Sequence, residues 1–329
     1  NDQPQGKHDK HIDTMLKYFD LDQDYKDAYG FTMSQVVKYI NMGQEARLIE
    51  RIIDKYKALE KRFDFVVVEG ADLSENGIPV GFDLDIEIAK NLALPTILVS
   101  LGKGKVMQAA ISNIDLAIKS CAEQDVKVQS VFMNCVAPEK MEPMKKELKA
   151  VVGEDINVEV IPEIKELSNL ILREIQEAID GKILLGEKLL DKQVKRVEIG
   201  AMHLRNFLER LEEDTLIITP GDRSDIIMSA INANASTNYP TISGILVTGD
   251  IEPQGAIMKL FEGLESTVPI ILVKGSTFEA ANQVARIKPQ ISPELTRKIE
   301  LSITTFEEHV DSEFLVDRFR NYHTDVVTP

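Results

Sequence analysis

The chain has 329 residues and a formal net charge of −16 at pH 7, with 43% hydrophobic and 28% charged residues. This length allows two domains of ordinary size, each with its own core, and the composition is that of a globular protein. The acidic balance argues against a nucleic-acid or anionic-membrane surface, because both need clustered Lys and Arg. We therefore expect neither a nucleic-acid partner nor a membrane partner.

The cysteines and histidines carry no sign of a disulfide framework or a metal site. Cys121 and Cys135 are the only cysteines, and each lies in an apolar segment. This usage, together with the lack of a secretory apolar region at the start, predicts a cytoplasmic protein. The five histidines lie far apart, without the short spacing of zinc ligands. No metal and no cofactor is predicted.

The first half alternates between helical and strand patterns. Residues 11–60 repeat apolar positions at helical spacing. Residues 63–70, with three consecutive Val, predict a strand that is buried on both faces at the centre of a parallel sheet. The further predicted strands are 95–100, 128–134 and 158–161, and the further helices are 83–92, 106–124, 138–151 and 168–179.

The second half begins a new alternating series after the stop at Asp180-Gly181. Its predicted strands are 193–198, 216–219, 242–247 and 268–273, and its helices are 201–210, 223–235, 254–264, 277–285, 293–309 and 312–320. Strands that alternate with helices indicate parallel βαβ units. We therefore predict two consecutive three-layer α/β domains with largely parallel sheets, at residues 1–185 and 186–310.

Three segments of the first half, VVVEG, PTILVS and the strand that ends in Asn134, resemble the dethiobiotin-synthetase-like branch of P-loop proteins. The resemblance implies a nucleotide Mg²⁺ near Glu69 and Asp72, and an adenine contact at Asn134. However, no G-x-x-x-x-G-K-[ST] phosphate loop is found. We interpret these three residues as vestigial, in a domain that lacks its first strands and phosphate loop. Asn134 also fits a simple turn former.

The second half resembles the DRTGG domain in the form found in long phosphate acetyltransferases. The matching segments are ITPGDRSDII (218–227), GILVTGDIEP (244–253) and TFEAA (277–281). The domain order is also that of this family, and residues 311–329 resemble the linker to its acyltransferase domain. The resemblance implies a non-catalytic regulatory and assembly region. Its parent enzyme would interconvert acetyl-CoA plus phosphate and acetyl phosphate plus CoA.

Two other functions stay open from the sequence: an ATP-dependent ligase of the dethiobiotin synthetase type, and a free-standing oligomerisation scaffold. The missing phosphate loop counts against the ligase. The expected partners are a small anionic metabolite, the acetyltransferase domain of the parent protein, and further copies of the chain in a homo-oligomer.

Three loops of the second half, 220–225, 248–253 and 274–278, each follow a predicted parallel strand. Because the carboxyl ends of such strands share one edge, these loops should gather around one crevice. The candidate ligand-binding residues there are Gly221, Asp222, Arg223, Asp225, Gly249 and Lys274.

The position of a charged residue at the predicted helix start accounts for the two acids but not for Arg223. Asp222 fits a helix N-cap, and Asp225 fits the helix dipole. Arg223 opposes that dipole and calls for an anionic partner, which is either a ligand or a carboxylate across an interdomain or subunit contact.

Overall fold

The structure is a computed structural model that describes residues 9–70, 81–253, 255, 259–260 and 268–320. The chain divides into two compact units. Unit 1 comprises Asn1–Ile164 together with Ile291–Pro329, and unit 2 comprises Lys165–Gln290. This division differs from the predicted one, because residue 185 falls inside unit 2 and residues 291–310 belong to unit 1.

In the described part of unit 1, four α-helices precede β1: α1 (Lys10–Tyr18), α2 (Met33–Asn41), α3 (Glu45–Glu60) and α4 (Gly81–Asn91). Their starts follow from capping chemistry. The Asp9 carboxylate accepts hydrogen bonds from the backbone N–H groups of His11 and Ile12 at 2.9 and 3.3 Å, and Thr32 starts α2 in a capping box. The helical pattern predicted for residues 11–60 is confirmed.

The sheet of unit 1 has the strand order β1-β2-β3 and is parallel throughout, with β1 (Thr96–Leu101), β2 (Val128–Val136) and β3 (Asn157–Pro162). Two helices, α5 (Met107–Glu123) and α6 (Met141–Val152), cover one face. Val131 and Met133 of β2 are fully buried there, in the same cluster as Ile114 and Leu148 of the helices. Their burial is the main source of stability on this face.

The prediction of a buried strand at residues 63–70 is wrong. This segment has no regular secondary structure, and the side chains of Phe65, Val67 and Val68 are 63%, 78% and 40% exposed. Consecutive Val residues favour extended backbone, but a strand also needs a neighbour that accepts its backbone hydrogen bonds and covers its faces. Among the described strands, β1 pairs with β2 alone, and residues 63–70 do not add to its open edge.

Unit 2 begins with short elements: α7 (Lys165–Ser168), β4 (Leu170–Ile171), α8 (Leu172–Ala178), β5 (Lys182–Leu185) and β6 (Gln193–Val194). The series continues with β7 (Arg196–Ile199), α9 (Leu204–Leu208), β8 (Thr215–Pro220), α10 (Ser224–Ala235), β9 (Ile242–Thr248), β10 (Ile270–Leu272) and α11 (Thr277–Arg286). The strand predicted at 193–198 is thus two strands, and β6 pairs with β4 instead of the main sheet. The predicted helix 254–264 lies largely outside the described residues.

The main sheet of unit 2 has the order β5-β10-β9-β8-β7, and only β5 runs antiparallel to its neighbour. The central strand β9 is buried along its whole length. Phe207 of α9 and Ile227 of α10 pack on one face, and Leu172 of α8 and Val284 of α11 pack on the other. This three-layer arrangement confirms the predicted α/β class with largely parallel sheets.

The chain then returns to unit 1 with α12 (Thr296–His309) and α13 (Ser312–Arg320). These helices cover the second face of the unit 1 sheet. Val310 and Leu315 are buried against Phe132 of β2, in a cluster that also contains Ile97, Ile161, Phe306 and Phe319. Residues 311–320, which resemble a linker in sequence, therefore complete the core of unit 1.

Candidate functional site

The three predicted loops of unit 2 lie together at the carboxyl edge of its sheet. The backbone N–H of Gly221 donates to the carbonyl of Thr248 at 3.2 Å, and that of Gly249 donates to the carbonyl of Gly275 at 2.7 Å. The Asp250 N–H donates to the carbonyl of Val273 at 3.3 Å. The loops therefore contact one another through their backbones, as parallel strand ends at one edge allow.

The glycines serve this loop packing. A Cβ atom at Gly221 would lie 1.7 Å from the carbonyl oxygen of Ile251, so only glycine fits there. Gly249 has a φ of +84°, in the left-handed region that glycine adopts without strain. Because the amides of Gly221 and Gly249 already donate to carbonyls of the protein, these two N–H groups are occupied.

Arg223 is held by an acid two residues away. Its Nε and Nη2 donate to Oδ1 and Oδ2 of Asp225 at 2.9 and 3.0 Å, and Nη2 also donates to the carbonyl of Met202 at 3.2 Å. The hydrogen bond from Arg223 holds the pKa of Asp225 below its usual value. The guanidinium charge is therefore balanced locally, in a bidentate pair.

The start of α10 differs from the expected cap. The helix begins at Ser224 with Arg223 at the N-cap position, and no side-chain hydrogen bond caps it. Asp222 is exposed and is therefore not the N-cap that its sequence position suggested. By contrast, α11 begins with a capping box of Ser276 and Glu279, which holds the pKa of Glu279 below its usual value through the backbone N–H of Ser276. Thr248 and Thr277 share a hydroxyl hydrogen bond of 2.8 Å that ties α11 to β9.

Lys274 is the candidate cation that remains available at this edge. It is exposed, and within the described part of the chain its side chain makes no hydrogen bond or ion pair. Asp222 and Asp250, on two of the neighbouring loops, are exposed as well, and within the same described part their side chains make no hydrogen bond. The sequence did not single out the exposed apolar residues at the same edge, among them Phe278 at 75% exposure.

The candidate nucleotide residues of unit 1 are arranged differently. The Asn134 side-chain oxygen accepts a hydrogen bond from the backbone N–H of Cys135 at 2.8 Å, and Cys135 has a φ of +57°. Asn134 therefore stabilises a left-handed bulge within β2, where the pairing with β3 shifts register between Met133 and Val136. Glu69 is exposed in the irregular segment 63–70, and Asp72 lies outside the described residues.

The cysteine thiols are poor nucleophiles. Burial raises the pKa of Cys121, and burial followed by the charge of Glu163 raises the pKa of Cys135. In the described ranges, no group of three His, Cys, Asp or Glu side chains is placed to hold a metal ion. Nor does any helix of those ranges combine the length and the apolar character that crossing a membrane requires.

Two consecutive parts of the chain match known domain families. A family model described as "AAA domain" matches residues 2–172, more than half of the chain. The chain belongs to the AAA domain family. A second model, the DRTGG domain, matches residues 174–287. The protein therefore carries a P-loop-like AAA domain followed by a DRTGG domain.

The curated relatives agree with this domain pair. Phosphate acetyltransferase from Synechocystis sp. is 35% identical over 326 residues, which cover 98% of this chain and 47% of the relative. Phosphate acetyltransferase from Nitratidesulfovibrio vulgaris is 34% identical and is covered over 46% of its length. The chain thus spans about half the length of the curated relatives it matches. It fits the N-terminal region of a long-form phosphate acetyltransferase, and the resemblance is confirmed.

A solved structure is also similar, more distantly. It shows the CBS and DRTGG domains of the regulatory region of Clostridium perfringens pyrophosphatase, complexed with the activator diadenosine tetraphosphate. The identity is 14%, the TM-score is 0.31, and the match covers 64% of this chain and 86% of that one. At this TM-score the likeness supports no argument about a site.

Proposed function

We propose that this chain is the non-catalytic regulatory and assembly region of a phosphate acetyltransferase. The observation that carries the proposal is the match to enzymes of that name over 98% of this chain but only 46–47% of each enzyme. The proposal assigns acetyl transfer between CoA and phosphate to the other half of such an enzyme. It also places the protein in the cytoplasm, in keeping with its free cysteines.

The side-chain chemistry supports a non-catalytic role. A nucleophile needs a lowered pKa or an adjacent base, whereas both thiols here have a raised pKa. A clamp for phosphate needs an available guanidinium, whereas Arg223 already binds Asp225 through both arms of its fork. The described unit 2 edge is therefore better suited to contacts than to chemistry.

The test compares this chain with the natural full-length protein. Phosphate-dependent release of CoA from acetyl-CoA should occur with the full-length protein and should be undetectable with residues 1–329 alone. Activity of the isolated chain would refute the non-catalytic assignment. A full-length protein without this activity, but with ATP-dependent ligase activity, would favour the dethiobiotin-synthetase-type alternative.

A small anionic effector is a second candidate role for the same edge, because Lys274 has no partner in the described part and α10 and α11 both begin there. Gly221, Asp222, Arg223, Asp225 and Gly249 would surround it. Arg223 would then exchange Asp225 for the anion, so Asp225→Asn should tighten binding.

Calorimetry with inorganic phosphate and with ATP tests the effector role. We expect Lys274→Gln to abolish the heat of binding, and the exposed control Lys188→Gln to leave it unchanged. If neither anion gives heat with the wild-type chain, this role is refuted for phosphate and ATP.

A further inference from the structure

We give the name carboxyl rim to six of the exposed residues at the carboxyl edge of the unit 2 sheet. They are Met202, Asp222, Asp250, Ile251, Lys274 and Phe278. The contacts described above join the loops that carry them, and the hydrogen bond from Arg223 to the carbonyl of Met202 adds the loop after β7. The rim is therefore one continuous surface of unit 2.

Three apolar side chains of the carboxyl rim are exposed to solvent, and the backbone that carries Phe278 is fixed by hydrogen bonds. Phe278, Ile251 and Met202 are 75%, 41% and 37% exposed. Phe278 lies in the first turn of α11, which the capping box and the Thr248–Thr277 hydrogen bond hold in place. An aromatic side chain that is exposed on a rigid element costs little entropy to bury, and such residues are typical interface anchors.

The charges of the carboxyl rim complement one another. Lys274 is a cation, Asp222 and Asp250 are anions, and within the described residues their side chains form no ion pairs. In a contact between identical surfaces, each rim must supply both halves of every interaction. A two-fold axis would place Lys274 of one copy near a rim acid of the other, around a centre formed by the two Phe278 side chains.

The same charges fit a protein better than a small anion. Arg223 is paired with Asp225, and Glu252 is paired with Lys182. Among the described residues, this leaves two acids and one base of the carboxyl rim without an ion pair. The amides of Gly221 and Gly249, which would face an anion, are occupied by protein carbonyls. The surface is therefore slightly acidic and apolar, whereas an anion site needs positive potential.

We infer that the carboxyl rim is a two-fold interface with a second copy of this chain. The inference rests on the proposed assembly role and names the surface that performs it. Phe278 is the anchor, and Lys274 with the two rim acids sets the register. Because each contact occurs twice, one substitution changes the interface at two places.

The first experiment measures the dimer dissociation constant of the 329-residue chain by sedimentation velocity. Phe278→Glu should raise this constant by about tenfold or more, since two carboxylates replace two buried aromatic rings. The matched control is Leu116→Glu on α5, where the leucine is 61% exposed and lies far from the rim in sequence. It should leave the constant unchanged. Both variants should keep the wild-type melting temperature, because both positions are exposed.

The second experiment uses charge reversal. Lys274→Glu leaves only acids among the three unpaired rim charges, and Asp222→Lys with Asp250→Lys leaves only bases among them. Each variant alone should dissociate more readily than the wild type, because like charges now face each other. An equimolar mixture of the two should form a heterodimer with an affinity at or above that of the wild type.

Three results would overturn the inference: a monomeric wild-type chain across the concentration range, an unchanged dissociation constant for Phe278→Glu, or failure of the mixed variants to associate. A wild type that associates only when phosphate or ATP is added would also overturn it, in favour of an effector site. None of these results would affect the assignment to phosphate acetyltransferase, which the CoA-release assay tests separately.

Discussion

Arg223 and Asp225 are joined by two parallel hydrogen bonds, from Nε to Oδ1 at 2.9 Å and from Nη2 to Oδ2 at 3.0 Å. The same guanidinium donates to the carbonyls of Gly200 and Met202 at 3.4 and 3.2 Å. The pair therefore links the start of α10 to the loop that follows β7. This geometry makes Arg223 a clamp between two elements of one sheet edge.

Removal of the clamp should lower the stability of unit 2. Arg223→Ala is expected to reduce the free energy of unfolding by about 1 to 2 kcal/mol, because two backbone carbonyls and one carboxylate lose their donor. Arg223→Lys should recover less than half of this loss, since an ammonium group cannot span the bidentate geometry. Urea unfolding checks both variants. The control Arg205→Ala, in an ion pair whose arginine is 84% exposed, should change little.

The same pair should give unit 2 a characteristic dependence on pH. The pKa of Asp225 is lowered in the folded state, chiefly by the hydrogen bond from Arg223, so the unfolded state binds the proton more tightly. The stabilisation is therefore complete above the unfolded pKa of about 3.9 and is lost as the pH falls through the folded pKa. The stability difference between the wild type and Asp225→Asn should be constant from pH 8 to 5 and should shrink below about pH 4. A difference that grows on acidification would contradict the assignment.

The sequence predicts the central strands of unit 2 well, because β8, β9 and β10 are buried on both faces. A strand is predicted at residues 242–247, and β9 is the fully buried centre of the sheet. Arg223 and Asp225 were both recognised as candidates, yet their mutual contact was missed. The two-residue spacing at a helix start was the available signal, because a guanidinium reaches a carboxylate at that distance.

The sequence-based predictions that failed in unit 1 depend on contacts between distant parts of the chain, which a local pattern does not show. The three Val residues of 63–70 prefer extended backbone, but that preference does not create a neighbouring strand. Similarly, the helical pattern of residues 296–320 shows an apolar face without showing which sheet it covers. Its partner, Phe132, lies more than 150 positions earlier in the chain.

The return of α13 to unit 1 can be tested with two neighbouring residues. Leu315 is 7% exposed in the cluster around Phe132, whereas Val316 is 44% exposed. Leu315→Ala should lower the stability of unit 1 by about 2 to 3 kcal/mol, through lost burial and a cavity. Val316→Ala should cost less than about 0.5 kcal/mol. Equal effects in denaturant titrations would show that α13 does not pack on the sheet.

Cys135 should react slowly with alkylating agents, and Glu163 should influence the rate. Burial and then the negative charge of Glu163 raise the pKa of this thiol, whereas Lys103 lowers it. Glu163→Gln removes the acid and releases Lys103 from their 2.7 Å ion pair, so the thiol pKa should fall and alkylation near pH 8 should accelerate a few-fold. The pH–rate profile with iodoacetamide measures this shift. Cys121, at 1% exposure, serves as the internal control and should stay unmodified until the protein unfolds.

ATP–Mg²⁺ should bind this chain only weakly, with a dissociation constant of about 1 mM or higher. The Asn134 side-chain oxygen is occupied by the backbone N–H of Cys135 in the bulge of β2, and the sequence contains no phosphate loop of the kind that would supply most of the affinity. Calorimetry with Mg²⁺ present measures the binding, and Asn134→Ala should leave any weak binding unchanged. Micromolar affinity that persists in the Lys274→Gln variant would revive the ligase alternative.

The discontinuous composition of unit 1 has a consequence during protein synthesis. Unit 2 is one uninterrupted stretch, so all its contacts become available once residue 290 has left the ribosome. The face of unit 1 formed by Ile97, Phe132 and Ile161 is still uncovered at that point, because α12 and α13 are translated after unit 2. The part of the chain that is made first should therefore finish folding second, and nascent chains that stop before α13 present an apolar sheet face for chaperones to bind.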